Sequence, residues 1–341
     1  MATSQMESEN EYNTPSASIT RNSLEWLSDD EKTEPFMRDI FMRICSEPPM
    51  DRYSKELLSV CNDAENSIFA ACTVSASKHL KGFLWKYTDI NAVNGEANNG
   101  YYLKQSLPKK LSSTINNHLV AALNCGSFVV FDNEFNSYKL YPTHHTTILD
   151  FICDRIDGNR IVSVAFDDTL SVLDISNENT THKFSTASIA IDFTFKNKET
   201  FVSVGKDKCV NLWDLRKQKP VSKYATLRSV ATAVRWSSTN EMLFYIGSEC
   251  GELISFDARN MATDLGNTKL FQNPITKMSS VANCVALLSN DVSNEFAVCE
   301  ENTLKHLYFT KLADHTADFI FYQNHFYSFG FNTHFQRHDF S

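Results

Sequence analysis

The segment Phe201-Val-Ser-Val-Gly-Lys-Asp-Lys-Cys-Val-Asn-Leu-Trp-Asp-Leu-Arg216 decides the fold. A β-branched and aromatic run holding Ser203 leads into Gly205-Lys206-Asp207, and a second such run ends in Trp213-Asp214. This is strand, tight turn, strand. Counted from Ser203, the turn carboxylate falls four residues on, the bulky apolar residue ten on and the second Asp eleven on.

Laid along the chain, that ruler finds Ala121/Cys125/Phe131/Asp132, Ser163/Asp167/Leu173/Asp174 and Ile246/Cys250/Phe256/Asp257. Weaker fits are Ala297/Glu301/Leu307/Tyr308 and Ser328/Asn332/His338/Asp339. The positions matching Ser203, at 121, 163, 203, 246, 297 and 328, are 42, 40, 43, 51 and 31 residues apart, and a further unit precedes them around Leu57–Val60, Ile68–Thr73 and Gly82–Tyr87. Four short strands repeated every 40–45 residues mark a propeller blade. The 291 residues after position 50 accommodate seven units of about 42. The expected fold is therefore all-β, a seven-bladed β-propeller over 49–341. Its outermost closing strand is expected from within residues 36–55.

The first 48 residues differ. Residues 1–22 are rich in Ser, Asn, Glu and Thr and are expected to be disordered. Ser28-Asp29-Asp30-Glu31 reads as a capping box, and Phe36, Ile40, Phe41 and Ile44 recur at helical spacing, which predicts a short amphipathic helix starting at Asp29 or at Pro35. Residues 1–50 hold ten acidic against four basic side chains, so most of the formal charge of −9 belongs to the tail and the remainder carries only −3. An acidic chain of this kind argues against nucleic acid as a partner. No apolar stretch approaches the 18 residues of a membrane span, so no membrane partner is expected. The beginning, MATSQMESEN, lacks the basic and apolar regions of a secretory leader, and nine scattered Cys form no CxxC pair. Reduced thiols in the cytoplasm and nucleus are the expectation.

The 201–216 segment resembles a WD repeat. In that family Trp, Ser, Asp and a His from the preceding loop form a buried hydrogen-bonded chain. The resemblance gives Ser203, Asp207 and Trp213 a structural role, with Ser185 or Thr186 standing where the His would be; His144 or His145 takes the His position of the preceding repeat. A second resemblance is carried by Pro49-Met-Asp-Arg52, the strands around 56–74, the stretch Ser75-Ala-Ser-Lys-His-Leu-Lys-Gly-Phe-Leu-Trp85, His315-Thr-Ala-Asp-Phe319 and Tyr327-Ser-Phe-Gly-Phe-Asn-Thr-His-Phe-Gln-Arg-His338. These are similar to the first and last blades of the methylosome WD-repeat family. That resemblance implies a non-catalytic scaffold for the arginine methyltransferase that makes symmetric dimethylarginine. It also implies Sm proteins and histones as presented Arg/Gly-rich substrates, and Tudor-domain proteins as further partners. It places the enzyme anchor on a first-blade loop at Leu80, flanked by His79 and Lys81, where the family carries an aromatic. The acidic residues Asp167, Asp168, Glu249, Glu252, Glu300 and Glu301 would steer cationic tails.

The sequence contains no GxxxxGK[ST], GxGxxG, GxSxG or HExxH motif, so neither an enzyme nor a cofactor is expected. His144/His145 and His334/His338 lack the further ligand that a metal needs. Asp167-Asp168 and Glu300-Glu301 are read as solvated turn carboxylates. An alternative reading rests on Trp213-Asp-Leu-Arg216 and Phe256-Asp-Ala-Arg259. These D-x-R units resemble WD-repeat substrate receptors of cullin-4 ubiquitin ligases, with Arg216 and Arg259 as adaptor contacts.

Overall fold

The computed structural model describes residues 18–20 and 53–339, apart from 64, 77–78, 91–98, 104–105, 157, 194–198, 218–219, 221, 226, 291–293, 313–314 and 331–334. The helix expected over 29–44, and His334, lie outside the described residues.

Seven antiparallel sheets follow one another along the chain. Blade one contains Tyr53–Asn62, Ile68–Ala76, His79–Tyr87 and Asn99–Leu103. The first strands of the later blades are Pro108–Ser113, Ile148–Cys153, Ser188–Phe193, Ala231–Trp236, Lys277–Val281 and Thr316–Tyr322. In every blade the strands pair in chain order. Successive first strands touch, and that of blade seven touches that of blade one, so the described sheets form a closed seven-bladed propeller with the first strands innermost. A short strand, Ser18–Thr20, runs antiparallel to the outer strand Ser137–Pro142 of blade two.

The burial pattern follows from this stacking. A second strand such as Leu119–Leu123 is covered on both faces by neighbouring blades and is buried at every residue. A fourth strand such as Ser137–Pro142 is mostly exposed. Seven apolar clusters fill the seven blade boundaries. The one closing the ring joins Leu57, Cys72, Val74 and Trp85 of blade one to Ile320, Tyr322 and Phe329 of blade seven.

A polar circuit runs beside that apolar packing. Ser59 Oγ and the Val60 N–H donate to Asp318 of blade seven at 2.9 Å each, while the Leu111 N–H of blade two donates to Ser59 Oγ at 3.1 Å. Lys110 pairs with Asp150 and donates to the Phe151 carbonyl. The Ile191 N–H donates to Asp150, and the Trp236 N–H to the fully buried Asp192. Arg235 reaches the Met278 carbonyl at 2.8 Å, and Lys277 returns to Asp318 at 2.9 Å. Each of the seven boundaries is crossed by at least one of these bonds.

Two sequence expectations are corrected. Ala297 lies on the third strand of blade six, Glu295–Glu300, rather than the second. The residue equivalent to Ser203 is Leu287, on Cys284–Ser289, and it makes the last two intervals 41 and 41. Residues 53–55 belong to the inner strand of blade one, not to an outer closing strand of blade seven. Among the described residues blade seven has three strands, and 36–52 fall outside the description.

Candidate partner-docking site

In each four-stranded meander the turn between the second and third strands lies at the opposite end from the other two turns. The propeller therefore has a hairpin face, shared with the connections between blades, and a far face. Blade one breaks the uniformity of the hairpin face. Its first three strands have ten, nine and nine residues, against four to seven elsewhere among the described residues. The second strand continues about four residues past the point where the others turn, roughly 13 Å at the usual rise of an extended chain. The body of the propeller ends at Gly82. A Cβ there would stand 2.6 Å from the Ser106 carbonyl and 2.7 Å from Pro108, because the chain entering blade two crosses it.

Beyond Gly82 the projection is hairpin, not the loop expected over 75–81: Ala76 pairs with His79, and Ser75 with Leu80. Alternation along the strand splits the predicted anchor group. Leu80 is 59% exposed, while Lys81 is half-buried and places Nζ 5.9 Å over the Tyr102 ring. The side chain of His79 is outside the described residues. Among the described side chains of the arm, the arrangement presents one large apolar group, Leu80, beside the half-buried Lys81.

Arg216 and Arg259 occupy equivalent positions on the far face of blades four and five. Each closes a two-point ion pair with its own motif's aspartate: Nε and Nη2 of Arg216 reach Asp214 at 2.8 and 2.6 Å, and Nε and Nη2 of Arg259 reach Asp257 at 3.0 and 2.5 Å. The hydrogen bonds from Arg216 hold the Asp214 carboxyl down to about 2. The two arginine side chains remain 70% and 71% exposed.

The serine positions of the ruler gather ring nitrogens. Trp213 Nε1 donates to Ser203 Oγ at 2.8 Å, Ser188 donates to Ser203, and Thr186 lies 2.8 Å from Ser188, so hydroxyls extend the chain where a histidine was sought. Asp207 caps its turn by accepting the Cys209 N–H. In blade three the histidine is present: His144 contacts Ser163 and Thr169 at 2.8 and 2.9 Å, with Asp167 behind it. Blade seven places the imidazole of His338 where blade four has an indole, 2.8 Å from Ser328. Burial lowers the pKa of both imidazoles, that of His338 to about 4.

Two carboxylates depart from the solvated reading. Asp167 accepts the His145 and Thr169 N–H groups and the Thr169 hydroxyl. Glu301 is buried and accepts from Ser237 and Thr239 at 2.7 Å each, from the Ser238 N–H, and from Ser280. Burial pushes its carboxyl up, but these donors outweigh that and hold it low. Both carboxylates are structural clasps, and neither is poised to exchange a proton. Among the described residues no group of three or more His, Cys, Asp or Glu is arranged to hold a metal.

This chain is similar to methylosome protein WDR77 of Xenopus laevis. The two are 26% identical over 133 residues, 38% of each chain. The match thus spans well under half the length of WDR77. No protein-family model matches the chain. A seven-bladed propeller with distant similarity to WDR77 is the sum of what fold and comparison establish. Sequence reasoning missed one feature on the same face as the arm. Phe166, on the hairpin face of blade three, is 57% exposed. Its only signal was an aromatic immediately before the Asp-Asp turn.

Proposed function

We propose that the chain is a non-catalytic scaffold that binds and orders a symmetric-dimethylating protein arginine methyltransferase in the cytoplasm and nucleus. It presents Arg/Gly-rich substrates, of which Sm proteins and histones are examples, with Tudor-domain proteins as further partners. One observation carries this reading: among the described residues only blade one extends into an arm, and that arm carries an exposed Leu80. On this reading the occupant of the arm is an apolar pocket on the enzyme, and the distant similarity to WDR77 supports that choice. Seating a leucine fully in such a pocket contributes roughly 1.5–3 kcal/mol.

The test is co-purification. The full chain retains the methyltransferase from native extract, and Leu80→Asp lowers retention at least about tenfold with the propeller still folded. Equal retention by the variant removes Leu80 as the anchor. Failure of the unaltered chain to retain the enzyme removes the scaffold reading. Incubated alone with S-adenosylmethionine and an Arg/Gly-rich peptide, the chain transfers no methyl group.

A second reading, a cullin-4 substrate receptor, is favoured by the matched exposure of Arg216 and Arg259 in adjacent blades. These residues lie on the far face, so the two readings are separable. The double change Arg216→Ala with Arg259→Ala abolishes adaptor binding on the second reading and leaves methyltransferase retention unchanged on the first.

A further inference from the structure

An exposed phenylalanine ring on a hairpin turn is unusual enough to ask what it meets. The turn is clamped at three points. The Asp168 N–H donates to the Ala165 carbonyl, the Phe166 N–H to the Thr147 carbonyl, and the Thr186 N–H to the Asp168 carbonyl. Phe166 is therefore presented by fixed backbone. The ring already carries a cation, because Lys206 Nζ, from the equivalent turn of blade four, lies 5.4 Å from its centroid. Of the two turn carboxylates, Asp167 is committed to backbone and Thr169, whereas Asp168 is exposed and its carboxylate makes no hydrogen bond or ion pair among the described residues.

We propose that Phe166 and Asp168 form a recognition site for an arginine side chain of an Arg/Gly-rich segment, with Lys206 as the resident cation that the incoming guanidinium displaces. The chemistry favours that exchange. A guanidinium is planar, more weakly hydrated than an ammonium, stacks on an aromatic face and pairs two-pronged with a carboxylate. Lys206 is exposed, and its withdrawal leaves no buried charge behind. Glycines on either side of the arginine let the peptide backbone approach the turn closely. The site shares the hairpin face with Leu80, so an enzyme seated on the blade-one arm and a substrate seated at blade three meet over one surface. The inference rests on the scaffold reading for its choice of ligand.

The experiment titrates the purified full chain with a labelled Gly-Arg-Gly repeat peptide, and with the same peptide bearing Lys or citrulline in place of Arg. The arginine peptide binds most tightly and the citrulline peptide most weakly. Phe166→Ala and Asp168→Asn each weaken arginine binding about fivefold, the scale of one exposed cation–ring contact, and Asn keeps the left-handed backbone that Asp168 adopts at φ 54°. Lys206→Ala distinguishes the site from general surface charge. It strengthens arginine binding if Lys206 competes for the ring, and by less for Phe166→Ala in combination. Affinity unchanged in Phe166→Ala and Asp168→Asn, or weakened in Lys206→Ala, overturns the site. Methyltransferase retention, read in the same variants, stays intact; loss of retention confined to Phe166→Ala or Asp168→Asn overturns the peptide site in favour of an enzyme contact there, whereas failure of the unaltered chain to retain the enzyme removes the scaffold reading instead.

Discussion

Ser163, Ser203 and Ser328 stand at one position in three blades, and each receives a ring nitrogen from a different partner: His144 from the preceding loop, the Trp213 indole and the His338 imidazole. A buried ring N–H without an acceptor is costly; in these three blades the serine hydroxyl provides the contact, whereas the buried Trp236 indole donates to the Glu241 carbonyl. His338 has a consequence for pH. Its pKa falls from 6.5 to about 4, burial being the main cause, so the unfolded chain binds a proton that the folded chain rejects between those values. Stability is full above about pH 6.5, declines as pH falls towards 4 and levels off below; this one group accounts for up to about 3 kcal/mol. Urea midpoints measured from pH 7 to 4 should fall steeply, and less steeply in His338→Phe. That ring would still stack where the imidazole now lies 4.3 Å from Phe296. The serines were legible because a short ruler fixed them. His338 was legible as a position but not as a hydrogen-bonded ring, since nothing in a single repeat says that an imidazole stands in for an indole.

The tight turns between second and third strands show why part of the repeat was readable. Five residues after the position that Ser203 holds in blade four, the backbone is left-handed in four successive blades, at Gly126, Asp168, Lys208 and Gly251. In each, the carbonyl there accepts an N–H from the chain entering the next blade. Only at Gly126 and Gly251 does the crossing come too close for a side chain: a Cβ at Gly126 would lie 2.4 Å from the His144 carbonyl. Gly126→Ala is expected to destabilise by more than about 2 kcal/mol, adding backbone clash to left-handed strain. Lys208→Gly should be tolerated, and paired thermal melts of the two variants check this. Blade six defeated the ruler for an equally local reason. Its first two strands are joined by two residues, Ala282 and Asn283, both left-handed. The marker positions counted from Leu287 are Asp291, Ala297 and Val298, with no polar group at the last. Without a serine or a terminal aspartate, the ruler slid ten residues onto the next strand. The arm of blade one was legible only as a resemblance, and the exposure of Leu80 followed from pairing that no sequence interval records.

For the ring as a unit, the decisive residue is Asp318. It joins blade seven to blade one through Ser59 and the Val60 N–H, and to blade six through Lys277. Asp318→Ala would strand the buried Ser59 hydroxyl and Val60 amide and leave the Lys277 ammonium without its partner. A loss of about 3 kcal/mol is expected, at the low end for breaking a buried charge pair because Lys277 is partly exposed. Denaturant unfolding should show a lower midpoint with an unchanged slope if the ring still melts as one body. A larger slope change would mean that blades one and seven part first.

The bond between Ser59 and Asp318 spans 259 residues of chain. At ribosomal speeds of about 5–20 residues per second, the inner strand of blade one waits roughly 13–52 seconds after its own synthesis for the partner that locks it. Throughout that interval Leu57, Val74 and Trp85, which end up sealed against blade seven, lack that cover on the nascent chain. A protein built as a circle is thus vulnerable at its seam for nearly the whole of its birth, and a folding helper that shields the leading blade would act before residue 318 leaves the tunnel.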